Sequence, residues 1–259
     1  MSRAVVLRAS GLRKVFGGRV VACADIDFEL AAGEVVGIVG ESGSGKSTLL
    51  RCLAGLAAPD AGTVEIAIDG GERVDLWQLD EVARAQALRS ALGLVHQNPR
   101  DGLKLGISAG GNVAEPLMVS GIRHYGRLRE VALDWLERVE VPRRRIDDLP
   151  STFSGGMQQR LQIARSLAPG PRILLLDEPT GGLDVSVQAR LLDLLRSLVR
   201  ELGVAALIVT HDLGVARLLA DRLLVMLRGR VIEAGLADQV LDDPQAPYTQ
   251  KLVASMLRI

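Results

Sequence analysis

Gly40-Glu41-Ser42-Gly43-Ser44-Gly45-Lys46-Ser47 satisfies the pattern G-x-x-x-x-G-K-[ST] at every fixed position. An apolar run, Val35-Val36-Gly37-Ile38-Val39, precedes it and reads as a buried strand. A helix from about Lys46 to Leu56 follows it. Strand, glycine loop and helix in that order form a cradle for a phosphate chain. The glycines let the backbone curl until several N–H groups face one anion, and the helix adds its positive end. Glu41, Ser42, Ser44 and Thr48 belong to the same cradle. Lys46 sets a charge against the β and γ phosphates, and the Ser47 hydroxyl is a ligand for Mg²⁺.

A second signal lies far along the chain. Ile173-Leu174-Leu175-Leu176-Asp177-Glu178 is an apolar strand ending in two acids. Asp177 at the tip can hold the Mg²⁺ shell, and Glu178 can orient and polarise an attacking water. Because Pro179 and Thr180 follow, the pair also reads as a helix cap with a first-turn acid. An N-K-x-D motif, which would read guanine, is absent.

The third signal, Ser154-Gly155-Gly156-Met157-Gln158-Gln159-Arg160 followed by Leu161 to Ala168, resembles the signature sequence and helix of ABC ATPases. The resemblance implies an α/β fold: a P-loop NTPase, ABC-type nucleotide-binding domain with a mostly parallel sheet core, an antiparallel β subdomain and an inserted α-helical subdomain. It implies ATP and Mg²⁺ as ligands and ATP hydrolysis as the activity. It implies that Ser154, Gly155 and Gly156 contact the γ-phosphate held by a partner chain, so the active form is a homodimer or a dimer with a related ABC ATPase. By the same resemblance Gln97 senses Mg²⁺ and the water, His211 contacts the γ-phosphate, and Asp184, in Gly182-Leu183-Asp184, belongs to the loop that crosses the dimer interface. Phe16 sits where the family stacks an aromatic on adenine; a core position is the other reading. His96 and His124 match no catalytic position and read as structural. The sequence departs from the common family form at Phe153, Met157 and Gly181-Gly182.

The rest of the chain agrees with a nucleotide-binding α/β protein. Its 259 residues suit one large domain with subdomains. Hydrophobic residues are 48% and aromatics only 3%, so Leu, Val, Ile and Ala must build the core. Lys+Arg and Asp+Glu are both 31, and this balance argues against a nucleic-acid partner. Arg143-Arg144-Arg145 precedes Asp147 and Asp148 and reads as a solvated loop with local ion pairs. Cys23 and Cys52 lack metal-ligand spacing and read as buried free thiols in a reducing compartment. The start, Met1 to Leu7, is too short an apolar run for a signal peptide, and no 18-residue apolar stretch occurs. The expected location is therefore cytoplasmic, and peripheral at the inner membrane only for an importer subunit.

Strand patterning covers about residues 4–39, with alternation at Val20, Ala22, Ala24, Ile26, Phe28 and Leu30. Pro59 to Gly62 reads as a turn and Thr63 to Ile68 as a strand. About 99–165 is mostly helical, most clearly from Tyr125 to Val139, with Trp135 on the apolar face. Strands and helices then alternate: Val185 to Leu202 a helix, Val204 to Val209 a strand, Leu213 to Ala220 a helix, Arg222 to Leu227 a strand. The expected division is 1–98 and 166–259 for the core with its β subdomain, 99–165 for the helical subdomain, and 236–259 for a helical tail.

A finer resemblance extends from about residue 93 to the end. Val95-His96-Gln97-Asn98-Pro99, Ser108-Ala109-Gly110-Gly111-Asn112, Arg123-His124-Tyr125-Gly126 and Arg145 to Pro150 are similar to the ABC ATPases associated with bacterial carbon–phosphorus lyase. That implies the soluble lyase core subunits as partners and phosphonate breakdown as the setting. The tail Asp243-Pro244-Gln245-Ala246-Pro247-Tyr248-Thr249 is similar instead to peptide-importer ATPases, which implies a membrane permease. An oligopeptide, nickel or phosphonate importer remains the alternative. A clamp that binds ATP without hydrolysing it is disfavoured, since Lys46, Asp177, Glu178 and His211 are all present. The segment from Gln97 to Ser154, with Gly106, Gly110, Gly111 and Gly121 to permit movement, is the expected client-facing region, or else a plain surface loop.

Overall fold

A computed structural model describes residues 3–68 and 71–256. Residues 1 and 2 of the expected N-terminal run and 257–259 of the expected tail lie outside the described residues. Among the described residues the strands form two sheets. The first comprises β1 (Val5–Phe16), β2 (Val20–Ala31), β4 (Ala61–Ala67) and β5 (Arg73–Asp75), all antiparallel, in the order β2-β1-β4-β5. The second comprises β3 (Val35–Val39), β6 (Leu92–Val95), β7 (Ile173–Asp177), β8 (Ala205–Val209), β9 (Arg222–Leu227) and β10 (Arg230–Leu236), in the order β10-β9-β3-β8-β7-β6. It is parallel except for the β9–β10 hairpin.

The helices follow from their caps and stripes. Between the strands run α1 (Lys46–Leu53), α2 (Glu81–Ala91), α3 (Pro99–Gly102), α4 (Ala109–Val119), α5 (Tyr125–Arg138), α6 (Gly155–Leu167), α7 (Val185–Leu202) and α8 (Leu213–Leu219). The tail adds α9 (Ala237–Asp242) and α10 (Pro247–Met256). Asp184 caps α7 by accepting from the Val187 N–H, and Gly203, at φ 62°, ends it. Leu191, Leu195 and Leu198 of its stripe are buried. β7 and β8 are unbroken apolar runs because helices cover both faces of the sheet.

Some boundaries differ from the sequence reading, for identifiable reasons. α1 stops at Leu53 rather than Leu56, because Gly55 takes φ 70° and the Leu56 N–H turns back to the Arg51 carbonyl. The expected turn at 59–62 shortens, because β4 already pairs with β1 from Ala61. Gly110 is no point of movement: a Cβ there would lie 2.5 Å from Ile146 Cγ1, so the glycine permits close packing on α4. Gly111 lies in the first turn of the same helix.

Cys23 and Cys52 are free and fully buried. Burial pushes the Cys23 thiol up to about 12, with Cys52 adding to the shift, and the Cys52 thiol up to about 11. Trp135 is buried in the helical core, and the Arg143–Arg145 turn is tied by Arg143 to Glu137 and by Arg145 to Asp148.

Between α4 and α6, Glu115 pairs with Arg165 and, at 3.0 Å, with Lys104. Burial raises the Glu115 carboxyl, but hydrogen bonds from the two cations outweigh it and hold the group below its usual value. A depressed carboxylate stabilises the fold above its unfolded pKa of about 4.3, and the contribution is lost as pH falls through the lower folded value. Glu115→Gln is expected to lose up to about 1 kcal/mol at pH 7. In urea denaturation the gap to the wild type should close with acidification; a gap that widens would contradict the pairing.

Candidate functional site: a phosphate loop facing two acids

The phosphate loop leaves β3 at the C-terminal edge of the parallel sheet and enters α1. Its shape requires glycine. Gly40, Gly43 and Gly45 have φ of 148°, 79° and 106°. A Cβ on Gly40 would lie 2.2 Å from the Met226 carbonyl oxygen, and one on Gly45 would lie 2.0 Å from that of Ala22. The loop is therefore squeezed between β9 and β2. The Gly229 N–H donates to the Ser44 carbonyl at 2.8 Å and pins it there.

Lys46 is buried, with 5% of its surface exposed. Its Nζ donates to the Gly40 carbonyl at 2.7 Å and the Glu41 carbonyl at 2.8 Å, and lies 3.5 Å from Ser44 Oγ. Burial lowers its pKa below the ordinary lysine value, while the nearby charges of Glu178, Asp177 and Glu41 pull it back. The next residue reaches the other signal: Ser47 Oγ donates to Asp177 Oδ1 at 3.2 Å. Burial pushes the Asp177 carboxyl above its ordinary value, the Ser47 hydroxyl opposes the shift, and the Glu178 charge adds to it.

Glu178 sits one residue beyond β7, at φ 43°. Such a backbone is uncommon for a non-glycine residue and costs about 1–3 kcal/mol, which the surroundings must hold in place. Its N–H donates to the Val209 carbonyl and its carbonyl accepts from the Gly181 N–H, each at 2.9 Å. The carboxylate is gripped from two sides: Gln97 Nε2 donates to Oε2 at 2.9 Å, and His211 Nδ1 lies 3.0 Å from Oε1. Four expected residues, Lys46, Gln97, Glu178 and His211, thus gather with Ser47 and Asp177 at one sheet edge.

Other expected residues are not part of this hydrogen-bonded cluster. Ser154, Gly155 and Asp184 are exposed, and Gly156 is half-buried. Ser154 Oγ caps α6 by accepting from the Met157 N–H at 3.4 Å. A Cβ on Gly156 would lie 2.6 Å from Val187 Cγ1, so that glycine lets α6 approach α7. The Phe16 ring is 49% exposed and is not a core side chain; Lys14 Nζ lies 5.6 Å from its centroid. It ends β1, beside the turn into β2, the strand that borders the phosphate loop. Of the two remaining histidines, His124 caps α5 through Nδ1.

The backbone that carries Gln97 is held by two glutamines remote in sequence. Gln162 Oε1 accepts from the His96 N–H at 2.8 Å, and Gln162 Nε2 donates to the His96 carbonyl at 3.1 Å. Gln159 Nε2 donates to the same carbonyl at 3.3 Å. Both glutamines are buried on α6. A Cβ on Gly102 would lie 2.0 Å from Gln162 Oε1, so the turn after Gln97 packs directly on this pair. Two glutamines at helical spacing on a face otherwise apolar were the available signal.

Comparison with known proteins agrees with this geometry. The family model described as ABC transporter matches residues 23–181, more than half of the chain. The chain belongs to the ABC transporter family. This cassette is 60% identical, over 90% of its own length and 91% of the relative's, to the phosphonates utilization ATP-binding protein PhnK of Escherichia coli (strain K12). It is 41% identical to a peptide import ATP-binding protein of Brucella melitensis, over all of this chain and 80% of that protein. Among solved structures it resembles the dimeric bacterial ABC transporter cassette MJ0796, with a TM-score of 0.79 and 33% identity over 89% of this chain and 98% of the other. It also resembles cbiO1 from Clostridium perfringens, part of an ABC transporter complex, with a TM-score of 0.81 and 27% identity over 99% of this chain and 100% of that one. The chain is thus an ABC ATP-binding protein closely related to PhnK of phosphonate utilization. Among its described residues no helix is long and apolar enough to cross a membrane.

Gly45→Ala tests the loop geometry. The added methyl meets the Ala22 carbonyl at a torsion that disfavours Cβ, so the variant is expected to lose at least about 1–3 kcal/mol of stability. It should also lose nucleotide binding. Thermal unfolding with and without ATP checks both, and a variant with wild-type melting and wild-type ATP response would refute the packing argument.

Proposed function

We propose that this chain hydrolyses ATP at an interface between two chains, and that it does so as a partner of the carbon–phosphorus lyase core subunits in phosphonate breakdown. The observation that supports hydrolysis most directly is the Glu178 carboxylate held between Gln97 and His211, beside the Asp177–Ser47 pair and Lys46. In this reading the phosphates lie along Gly40 to Thr48, with Lys46 against the β and γ groups and Phe16 against the adenine. Ser154, Gly155 and Asp184, which are exposed, and Gly156, which is half-buried, serve the neighbour's nucleotide.

The chemistry is the attack of water on the γ-phosphorus, with cleavage of its bond to the bridging oxygen of ADP. Glu178 accepts a hydrogen bond from the water and draws off its proton as the new bond forms. Gln97 and His211 keep that carboxylate aimed, and His211 contacts the γ-phosphate. Ser47 and Asp177 offer two hard oxygens at one point, a donor set that would fit Mg²⁺. Gln97, bonded to Glu178, is the third residue that would serve the ion. When bound, Mg²⁺ neutralises charge on the β and γ oxygens.

Glu178→Gln is expected to bind ATP, to remain paired and to lose about a hundredfold or more in turnover. Single-turnover hydrolysis checks it, and normal turnover would remove Glu178 from its role. Lys46→Ala should bind ATP weakly in titration calorimetry; unchanged affinity would count against the loop assignment.

The client assignment rests on the relation to PhnK and on the resemblance of residues 93 onward. The region 99–165 is the part proposed to meet the client. A second reading, the ATP-binding subunit of an importer, is favoured by the 41% identity to a peptide import protein along the whole chain and by the tail from Asp243 to Thr249. Purification with natural partners separates them. Lyase subunits are the expected companions, and a multi-span membrane protein in their place would overturn the assignment.

A further inference from the structure

Tyr248 lies in the C-terminal tail, far in sequence from the phosphate loop. It is the second residue of α10, and its hydroxyl accepts a hydrogen bond from the Glu41 N–H at 3.0 Å. That N–H belongs to the same peptide plane as the Gly40 carbonyl, which accepts from Lys46 Nζ at 2.7 Å. One peptide is therefore held from both ends, by the lysine on its oxygen and by the tyrosine on its nitrogen. The amide is planar, so its two ends cannot turn independently. Gly40, at φ 148°, lacks the side chain that would otherwise limit its torsions, so bonds at the two ends of this peptide help to fix its direction.

The tether is well founded. Just ahead of α10, the N–H groups of Gln245 and Ala246 donate to the Glu233 carboxylate of β10 at 2.7 and 3.0 Å. Tyr248, Leu252 and Val253 pack on an apolar cluster that contains Val39, the residue before Gly40. The tail helix is thus bolted to the sheet edge at the point where the phosphate loop begins.

We propose that Tyr248 is a positioning residue of the nucleotide site: through the Gly40–Glu41 peptide its hydroxyl sets where the Lys46 ammonium stands for the phosphates of ATP. The inference rests on the loop being the ATP site. Lys46 faces the β and γ phosphates already in the bound ground state, so a small misplacement is expected to show first as weaker binding.

Tyr248→Phe keeps the ring and removes only the hydroxyl. In the full chain the expected result is Mg-ATP binding weaker by about three- to tenfold, the size of one neutral hydrogen bond. KM for ATP should rise equally, with kcat within about twofold and the unfolding midpoint within about 4 °C of the wild type. In a Lys46→Ala background the same substitution should add little, because both act through one contact. Tyr248→Phe with wild-type ATP affinity and KM overturns the proposal, as does full additivity with Lys46→Ala. If the wild-type chain itself binds no ATP, the site assignment fails, and the inference falls with it.

Discussion

A lysine ammonium buried at the edge of a parallel sheet is the constraint around which this fold is arranged. Removing a charge from water is costly unless oxygen atoms and opposite charges replace the lost hydration. Lys46 meets that condition with the carbonyls of Gly40 and Glu41 and with the charges of Glu178, Asp177 and Glu41. The carbonyls can turn inward only because Gly40, Gly43 and Gly45 occupy torsions that side chains resist. The acids stand in place because β7 runs parallel to β8 and ends opposite Val209. Glycine content, sheet order and carboxylate placement are three answers to one electrostatic requirement. The same arrangement offers a triphosphate what it most needs, a cation already stripped of water.

The second organising element is a relay of amides. Gln159 and Gln162 of α6 hold the backbone of His96, and its neighbour Gln97 holds Glu178. The helix that begins at Ser154-Gly155-Gly156 is thereby linked, within one chain, to the carboxylate assigned to water activation. α3, α4 and α5 pack on the same helix, as do β6 and α7. The glutamine pair is buried while Gln97 is exposed, so the relay runs from the interior of the helical region to the surface of the site.

How much of this was readable from residues alone depends on the kind of signal. The phosphate loop, the acid pair and the signature helix were found because each is a contiguous run whose chemistry dictates its spelling. The long helix from Val185 to Leu202 was legible because Asp184, the leucine stripe and Gly203 agree. The end of α1 was misplaced because Leu56 continues the apolar pattern, while Gly55, one residue earlier, reverses the chain. Gly110 was read as freedom to move; its partner Ile146 is distant in sequence, so the close approach could not be seen. Gln162 and Tyr248 escaped for the same reason. Their partners lie 66 and 207 residues away, and no local pattern names those partners. Contacts that cross from tail to loop are visible only once the sheet has brought them together.

The two thiols carry a practical corollary. Both lie inside the core with their thiolate forms strongly disfavoured. Maleimides and disulfide reagents will find the folded wild-type chain silent, so no cysteine has to be removed before new ones are introduced. A spin label or dye attached at one surface site would then report distances between two copies against an unlabelled background.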